Sequence, residues 1–364
     1  MPSAEEFAAW FRLLETPGVG RGTARRLLAA CGSPQAIFST PSSVLGGIVG
    51  AAQAQALRSL PPQFDGRLQV ALAWLDAGED RLALTLGEPA YPPALLQTAD
   101  PPLLLYVQGD VQRLSRPSLA VVGSRHPTPQ GKENARAFAR ALGDQQWLVV
   151  SGLALGIDGA AHEGALEAPA GTIAVVGTGL DRVYPARHRN LAHRIAAHGA
   201  LVSEYAPGTP ALAENFPRRN RIIAGLSQGT LVVEAALQSG SLITARQALE
   251  AGREVFAIPG SIHSPQSKGC HALLKQGAKL VESAQDILEE LRGAVDAPSR
   301  VDERAPEPDD PLLAALGQDP VTLDALMART GWPAQDLSAR LLDLELEGRV
   351  SRLPGGLYQR LYKS

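Results

Sequence analysis

The chain has 364 residues, of which 45% are hydrophobic and 20% are charged, and its formal net charge is −3 at pH 7. This composition predicts a globular protein of two or three domains and excludes a global basic field that would by itself indicate nucleic-acid binding. The two cysteines, Cys31 and Cys270, exclude a disulfide framework and a CxxC metal site, and they fit a reducing, cytoplasmic environment. No apolar run reaches the ~18 residues of a membrane span, so we expect no membrane segment. No histidine spacing indicates a metal site.

Residues 1–66 are predicted to form a small helical domain. A Gly-Val-Gly turn at residues 18–20 separates two helical patterns and is followed by Arg21, Arg25 and Arg26. Such a turn is typical of SAM-like or helix-hairpin-helix modules, and the latter bind the DNA backbone. We favour a helical packing domain instead, because five arginines against four acids give residues 1–66 a net charge of only +1.

Strands and helices are predicted to alternate over residues 67–292. A proline-rich lead-in contains a strand at residues 103–107, and apolar runs predict seven further strands. These runs lie at residues 119–123, 147–150, 172–177, 200–204, 229–235, 254–258 and 279–282. The alternation predicts an α/β fold, a Rossmann-like doubly wound parallel sheet that binds ligands at the carboxyl ends of its strands.

The stretch from residue 215 to residue 252 has the features of an anion site. We predict a short helix at 221–226 and, after the strand at 229–235, a helix at 241–251. The Ser-Gly-Ser turn at residues 239–241 would present backbone N–H groups at the positive end of that helix. Upstream, three arginines within four residues offer guanidinium groups that suit phosphate oxygens. The pattern predicts a polyanion ligand; the alternative is a solvated arginine face and an ordinary helix cap.

Glycine- and serine-rich turns follow three of the predicted strands. Gly123-Ser124-Arg125 lies at the end of the strand at 119–123, Ser151-Gly152 follows the strand at 147–150, and residues 177–181 lie at the end of the strand at 172–177. None is a GxGxxG motif with an acidic residue placed for a ribose, and there is no Walker A sequence, so we expect no cofactor. We expect these turns and Arg125 to share one rim with the stretch 215–252.

Seven sequence blocks in residues 119–282 occur in the order of one known family. The blocks are GSR, SGLALGID, GLDRVYP, FPRRNRIIAGLS, EAALQSGSLITA, GREVFAIPG and KGCHALLKQGAKLV. They are similar to the DNA-processing protein A family, DprA, also called Smf, and the resemblance extends over about residues 80–290. His271 departs from the family pattern, in which many members carry Asn at this position.

The resemblance implies binding of single-stranded DNA without chemistry. It implies a recombination mediator of natural transformation that protects incoming single strands, helps to load RecA recombinase onto them, and forms a homodimer through its core. Phe216 is expected either to stack on a base or to belong to the core. The candidate DNA-binding residues are Gly123, Ser124, Arg125, Ser151, Gly152, Phe216, Arg218, Arg219, Asn220, Arg221, Ser239, Gly240, Ser241, Thr244 and Lys275. Leu273 and Leu274 are candidate interface residues, with core packing as the alternative.

Two enzymatic interpretations compete with a binding function. Ser151 and His162 offer a nucleophile and a base, but no GxSxG elbow supports this pair. Glu234 follows a Gly-Thr pair, which resembles the related nucleotide phosphoribohydrolases. The PGGxGTxxE pattern of that class is incomplete, because residues 226–228 are Leu-Ser-Gln. The phosphoribohydrolase-like class is the alternative function, and we predict that the protein is not an enzyme.

Residues 293–364 are predicted to hold a linker and a small terminal domain. Residues 293–310 are rich in proline and acid, which predicts a flexible linker. Residues 311–364 predict helices followed by a hairpin, and they resemble the winged-helix domain found in some family members. Residues 306–364 carry six Lys/Arg and nine Asp/Glu, a net charge of −3. Because phosphate contacts require local positive charge, we predict a protein-contact or regulatory role for this domain.

Overall fold

The computed structural model describes residues 2–296, 311–316, 321–347, 349–353 and 357–360. The chain forms two compact units, Met1–Val295 and Asp296–Ser364.

Six helices form the first part of the larger unit. They are α1 (Ala4–Glu15), α2 (Arg21–Cys31), α3 (Pro34–Ser39), α4 (Ser42–Val49), α5 (Ala51–Ala56) and α6 (Phe64–Asp76). Ser3 and Glu6 form a capping box that begins α1. Phe7 and Phe11, four residues apart on α1, lie on one face and pack into a cluster that includes Tyr106 of the sheet. The helices and the sheet therefore share a core, and α6 runs through the predicted domain boundary at residue 66.

A nine-stranded sheet forms the centre of the larger unit. Its strands are β1 (Arg81–Thr85), β2 (Leu104–Gly109), β3 (Ser118–Val122), β4 (Leu148–Ser151), β5 (Thr172–Val176), β6 (Ala200–Ser203), β7 (Gly229–Val232), β8 (Glu254–Ala257) and β9 (Lys279–Leu280). The strand order is β1-β2-β6-β5-β4-β3-β7-β8-β9. Strands β3 to β9 pair in parallel, whereas β1 and β2 add an antiparallel edge. The predicted Rossmann-like α/β fold is confirmed, and the antiparallel edge is an addition to it.

Helices cover both faces of this sheet. They are α7 (Pro93–Leu96), α8 (Pro129–Asp144), α9 (Ile157–Ala165), α10 (Arg189–His198), α11 (Asn215–Leu226), α12 (Ser241–Glu250), α13 (Lys268–Lys275) and α14 (Ala284–Asp296). Every residue of β3 and β5 is buried, as expected for parallel strands with helices on both sides. One face packs against α11 and α12, and the other packs against α8, α9 and α14.

The direction of winding changes at β3. This strand pairs with β4 on one side and with β7 on the other, so that Val122 lies opposite Val232. The chain winds outward through β4, β5 and β6 and then returns to continue from β7 to β9. In a doubly wound sheet, the loops diverge at such a reversal and leave a crevice at the carboxyl ends of the strands. The fold therefore places a ligand site between the ends of β3 and β7.

The described residues of the smaller unit, within 311–360, form three helices and a three-stranded antiparallel sheet. Its elements are α15 (Pro311–Leu316), β10 (Val321–Thr322), α16 (Leu323–Thr330), α17 (Ala334–Leu346), β11 (Val350–Leu353) and β12 (Leu357–Arg360). The strand order is β10-β12-β11. Leu337, Leu341 and Leu344 of α17 face a small apolar core. This arrangement confirms the predicted winged-helix fold, while most of the predicted linker, residues 297–310, lies outside the described residues.

No helix in the described part of the chain has both the length and the apolar character needed to cross a membrane. Within the same residues, no group of three or more His, Cys, Asp or Glu side chains is placed to hold a metal ion.

Candidate functional site

A cleft of about 670 Å³ opens at the point where the winding of the sheet reverses. Its walls are the loop that follows β3, the first two turns of α11, and the turn that leads into α12. The volume is within the range of small-ligand sites in proteins. Ten of the predicted site residues line the cleft: Gly123, Ser124, Arg125, Phe216, Arg219, Asn220, Ser239, Gly240, Ser241 and Thr244.

The loop after β3, residues 123–127, holds Arg125 at the edge of the cleft. The Ser124 N–H donates to the Glu234 carbonyl at 2.7 Å, and the Ser124 carbonyl accepts from the Ile157 N–H at 3.1 Å. Gly156 packs so closely beneath the loop that a Cβ atom there would lie 2.7 Å from Pro127 Cδ. The backbone is therefore fixed by its neighbours, and Arg125 projects from it as an exposed cation.

Two aromatic rings stand beside Arg125. The centroids of Phe216 and Tyr184 are 5.4 Å apart, and their planes are tilted by 40°. The Arg125 guanidinium carbon lies 6.0 Å from the Phe216 centroid. Phe216 is half-buried, and Tyr184 is 52% exposed. The mouth of the cleft thus combines an exposed cation with one exposed and one half-buried aromatic ring, a combination that suits a planar group joined to an anion.

Arg219 forms the floor of the cleft and does not project into it. It is 4% exposed, and its guanidinium donates to the Gly152 carbonyl at 2.6 Å and to the Val175 carbonyl. Burial lowers the pKa of Arg219 to about 10, although the nearby Asp158 carboxylate opposes this shift. Asp158 in turn accepts from the Gly152 N–H at 3.1 Å. The predicted phosphate contact is therefore corrected to a framework role, because one guanidinium nitrogen already donates to two strand-end carbonyls.

The Ser-Gly-Ser turn at the start of α12 is held by internal hydrogen bonds. The Ser241 N–H donates to Ser239 Oγ at 3.3 Å, and the N–H groups of Leu242 and Ile243 donate to the carbonyls of Ser239 and Gly240, both at 3.1 Å. Fewer amides are therefore free for an anion than the sequence predicted. The two serine hydroxyls, 2.7 Å apart, remain on the cleft wall.

The three arginines of α11 point in different directions. Arg218 is exposed and pairs with Glu214 at 3.1 Å, whereas Arg221 is paired with Glu204 and Asp100. Because α11 begins at Asn215, all three arginines lie on one helix, where Arg219 is one position from Arg218 and two positions from Arg221 and therefore projects from a different face. Of the four arginines that we expected at one rim, only Arg125 and Arg219 line the cleft, and Arg219 lies buried in its floor. Neither Arg218 nor Arg221 is among the residues that line the cleft.

The remaining predicted residues do not line the cleft. Ser151 and Gly152 are buried at the end of β4, and Lys275 is exposed at the end of α13. Leu273 is 7% exposed and packs in the core of its own chain, where the half-buried Leu274 lies against the same cluster. The structure thus places Leu273 as a core residue.

Ser151 and His162 are not arranged for hydrolysis. The buried Ser151 hydroxyl donates to the Val121 carbonyl at 2.6 Å. His162 is fully buried, with Nδ1 at 2.8 Å from Thr172 Oγ1, and its Nε2 accepts from the Leu153 N–H at 3.3 Å. Burial lowers the pKa of His162 to about 3, so the ring is neutral near pH 7. Ser151 thus links β4 to β3, and His162 links α9 to β5 and to the loop after β4.

Glu234 faces the start of α8. Its carboxylate accepts from the Thr128 N–H at 2.9 Å and from the Thr128 hydroxyl at 2.5 Å. Thr128 is the N-cap residue of α8, and a Cβ atom at Gly131 would overlap the carboxylate. Glu234 therefore anchors a helix N-terminus and is not among the residues that line the cleft.

Sequence reasoning missed several residues of the cleft. Tyr184, Asp158, His126, Gln238 and Gln266 all line it. Tyr184 and Asp158 stand inside the GLDRVYP and SGLALGID blocks, so the blocks marked their importance without assigning a role. His126 directly follows Arg125 in the loop after β3.

Comparisons with known proteins give the chain a family. Residues 82–292 match the family described as DNA recombination-mediator protein A, and residues 296–356 match the one described as DprA winged helix domain. The chain is 44% identical to Protein Smf of Escherichia coli over 324 residues, which cover 86% of this chain and 85% of that protein. It is 49% identical to DNA processing protein DprA of Streptococcus pneumoniae over 201 residues, which cover 55% of this chain and 71% of that protein.

Two solved structures share the fold. The X-ray structure of DprA from Streptococcus pneumoniae aligns with a TM-score of 0.69 and 36% identity, covering 80% of this chain and 98% of that one. A structure described as giving insight into the single-stranded DNA binding mode of DNA processing protein A from Helicobacter pylori aligns with a TM-score of 0.53 and 33% identity, covering 58% and 96%. Since the family match spans more than half of its length, the chain belongs to the DNA recombination-mediator protein A family, also known as DprA or Smf.

Proposed function

We propose that this protein binds single-stranded DNA in the cleft between β3 and β7. The observation that carries the proposal is the placement of the exposed Arg125 beside the rings of Phe216 and Tyr184. A base stacks on an aromatic face while a guanidinium meets the adjacent phosphate, and neither contact depends on base identity. The description of the related Helicobacter pylori protein as a single-stranded DNA binder supports this assignment.

Among the arginines near the cleft, Arg125 is the one best placed to bind a phosphate. Within the described residues, no ion pair includes Arg125, whereas Arg218 and Arg221 have carboxylate partners and Arg219 bonds to carbonyls. With a net charge of −3, the chain depends on local cations to hold a polyanion.

Binding of a labelled oligothymidine, compared with a duplex of equal length at several salt concentrations, tests the proposal. Arg125→Ala should bind the single strand about tenfold more weakly, and its salt slope should be shallower by about 0.7. Arg125→Lys should recover part of the loss, because a point charge cannot reproduce the planar fork. Arg218→Ala, which removes an exposed arginine that does not line the cleft, is the matched control and should bind as wild type. Wild-type affinity and slope for Arg125→Ala would overturn the proposal.

The proposal extends to recombination in natural transformation. The protein would protect incoming single strands and help to load RecA onto them as a homodimer in the cytoplasm, as the family resemblance implies. The description of the family as a recombination mediator supports this role. Nuclease digestion of protein-bound strands, RecA filament formation with and without the protein, and light scattering of the purified chain test its three parts.

The proposal describes a binder and not an enzyme. The engagement of Glu234 with Thr128, and of Ser151 with Val121, leaves both side chains committed to structure. Incubation with nucleoside monophosphates should therefore release no free base. Base release that disappears in Glu234→Gln would replace this proposal with the phosphoribohydrolase-like function.

The winged-helix unit is proposed to contact protein and not DNA. Its net charge of −3 over residues 306–364 opposes a phosphate backbone. Deletion of these residues should leave single-strand affinity within about tenfold of wild type, a difference of ~1.4 kcal/mol. A larger loss would assign DNA contacts to this unit.

A further inference from the structure

We propose that the bound strand leaves the cleft over Arg125 and continues into a second groove, where Lys132 and Arg187 hold its phosphates. This inference rests on the proposed binding of single-stranded DNA and defines the path of the strand beyond the cleft. The groove has a volume of about 470 Å³. We call it the basic groove; it is lined by Arg125, His126, Pro127, Lys132, Leu155, Gly156, Gly159, Ala160, Glu163, Arg187 and His188.

The basic groove and the cleft meet at one loop. Arg125 and His126 line both cavities, so the two cavities adjoin at this short segment. A strand with one nucleotide in the cleft therefore has to pass only these two side chains to reach the groove. Both side chains are exposed, which leaves the passage open.

The charge of the basic groove suits a phosphate backbone. Arg125, Lys132 and Arg187 are exposed, and in the part of the chain that the structure describes no ion pair includes any of the three. Glu163 is the one acidic residue among those that line the groove. Even with both histidines neutral, three cations face one anion. In a chain with a net charge of −3, this is a local concentration of positive charge.

The cleft suits the bases of a strand, and the basic groove suits its phosphates. The cleft contains Phe216 and Tyr184, which offer faces for bases, whereas no Phe, Tyr or Trp is among the residues that line the basic groove. Side-chain cations without stacking rings recognise phosphates and not base identity. The groove is therefore suited to the backbone of the strand whose base is stacked in the cleft.

The walls of the basic groove are rigid. The His188 Nδ1–H donates to the Leu153 carbonyl at 2.9 Å, and a Cβ atom at Gly159 would lie only 2.7 Å from His188 Cε1. At the start of α9, the Ile157 N–H donates to the Ser124 carbonyl and the Gly159 N–H donates to the Ala154 carbonyl. These amides are already occupied, so the attraction for phosphate comes from the side chains.

Strand length separates the basic groove from the cleft in an experiment. Binding of oligothymidines of about 4 and about 16 nucleotides is measured by calorimetry across several salt concentrations. For the double variant Lys132→Ala/Arg187→Ala, we expect about tenfold weaker binding of the long strand and a salt slope shallower by about 1.4, which is two contacts of ~0.7 each. The short strand should bind as to wild type, with one strand per cleft.

Two further variants complete the test: one is a control, and the other is expected to tighten binding. Arg140→Ala removes an exposed cation of α8 that lies outside the groove and should leave both strands unaffected. Glu163→Gln removes the groove's anion and should tighten binding of the long strand only. If the double variant bound the long strand as tightly as wild type, or lost equal affinity for both strand lengths, the proposal that the basic groove holds the strand would be overturned. Failure of the wild-type protein to bind either strand would instead overturn the proposed function.

Discussion

Arg221 holds Glu204 through one guanidinium nitrogen, which lies 2.5 Å from Oε1 and 2.6 Å from Oε2. Its Nε is in ion-pair contact with Asp100 at 3.0 Å. Arg21, at the start of α2, lies 3.0 Å from each of the same two acids, and Arg25 also pairs with Asp100. The cluster therefore ties the N-terminal helices to α11 and to the end of β6, and it occupies Arg221, which the sequence suggested for DNA.

This cluster predicts that Arg221 acts on stability and not on DNA affinity. Arg221→Ala leaves two half-buried carboxylates with less compensating charge, so we expect a loss of about 1–3 kcal/mol in the free energy of unfolding, less than for a fully buried pair. Denaturant unfolding measures it. Arg218→Ala, exposed on the same helix, should change stability by less than about 0.5 kcal/mol. If Arg221→Ala instead left the free energy of unfolding unchanged and made the salt slope of DNA binding shallower, Arg221 would be a DNA-binding residue.

The second prediction concerns stacking on Phe216. Phe216→Leu keeps an apolar side chain against Gly177 but removes the ring, so we expect single-strand affinity to fall by about 1–3 kcal/mol. The loss should be similar for oligomers of different bases, because every base has a stacking face. Tyr184→Phe keeps its ring and should bind as wild type. Wild-type affinity in Phe216→Leu, with an unchanged melting temperature, would assign Phe216 to packing alone.

The core strands were predictable because their apolar, β-branched residues are buried on both faces. The run at residues 119–122 and that at 172–176 are fully buried in the structure. β1, the edge strand, was not predicted, because its five residues, Arg81–Thr85, are buried over only part of their length and give a weak pattern. The fold class followed from the alternation of elements, whereas the antiparallel edge depends on contacts between distant segments.

The start of α11 decided how much of the site was predictable. The helix was predicted to begin at Arg221, but it begins at Asn215. Pro217 is tolerated in its first turn, where the missing N–H would have no partner in the helix. The partners of Arg221 lie 17 and 121 positions away in sequence, at Glu204 and Asp100, so no local pattern reveals that this cation is occupied. Arg125 and Phe216 were found because each stands in a block that the family resemblance marked.

The third prediction tests the placement of Leu273. Since Leu273 is buried against the sheet, Leu273→Arg would force a charge into the core, and we expect loss of the cooperative unfolding transition seen by circular dichroism. Lys275→Ala, exposed at the end of the same helix, is the control and should unfold as wild type. A folded Leu273→Arg protein that is monomeric where wild type is dimeric would assign Leu273 to the interface.

The fourth prediction concerns pH and His162. Burial holds the pKa of this histidine at about 3 in the folded protein, whereas an unfolded chain has its ordinary value near 6.5. Between these values the unfolded state binds the extra proton, so the folded protein loses stability as the pH falls. The contribution of His162 is complete above pH ~6.5 and is lost at up to about 1.4 kcal/mol per pH unit below it.

Denaturant unfolding between pH 7.5 and pH 4.5 measures this contribution by comparison of variants, since carboxylates also titrate toward the acid end. His162→Gln, which has no imidazole to protonate, should be less stable than wild type at pH 7.5, because the bonds to Thr172 and Leu153 are disturbed. The difference between the two proteins should shrink as the pH falls. His193→Gln, which replaces an exposed histidine on α10, should run parallel to wild type. A constant difference between wild type and His162→Gln over this range would mean that His162 takes up a proton in the folded protein as readily as in the unfolded chain.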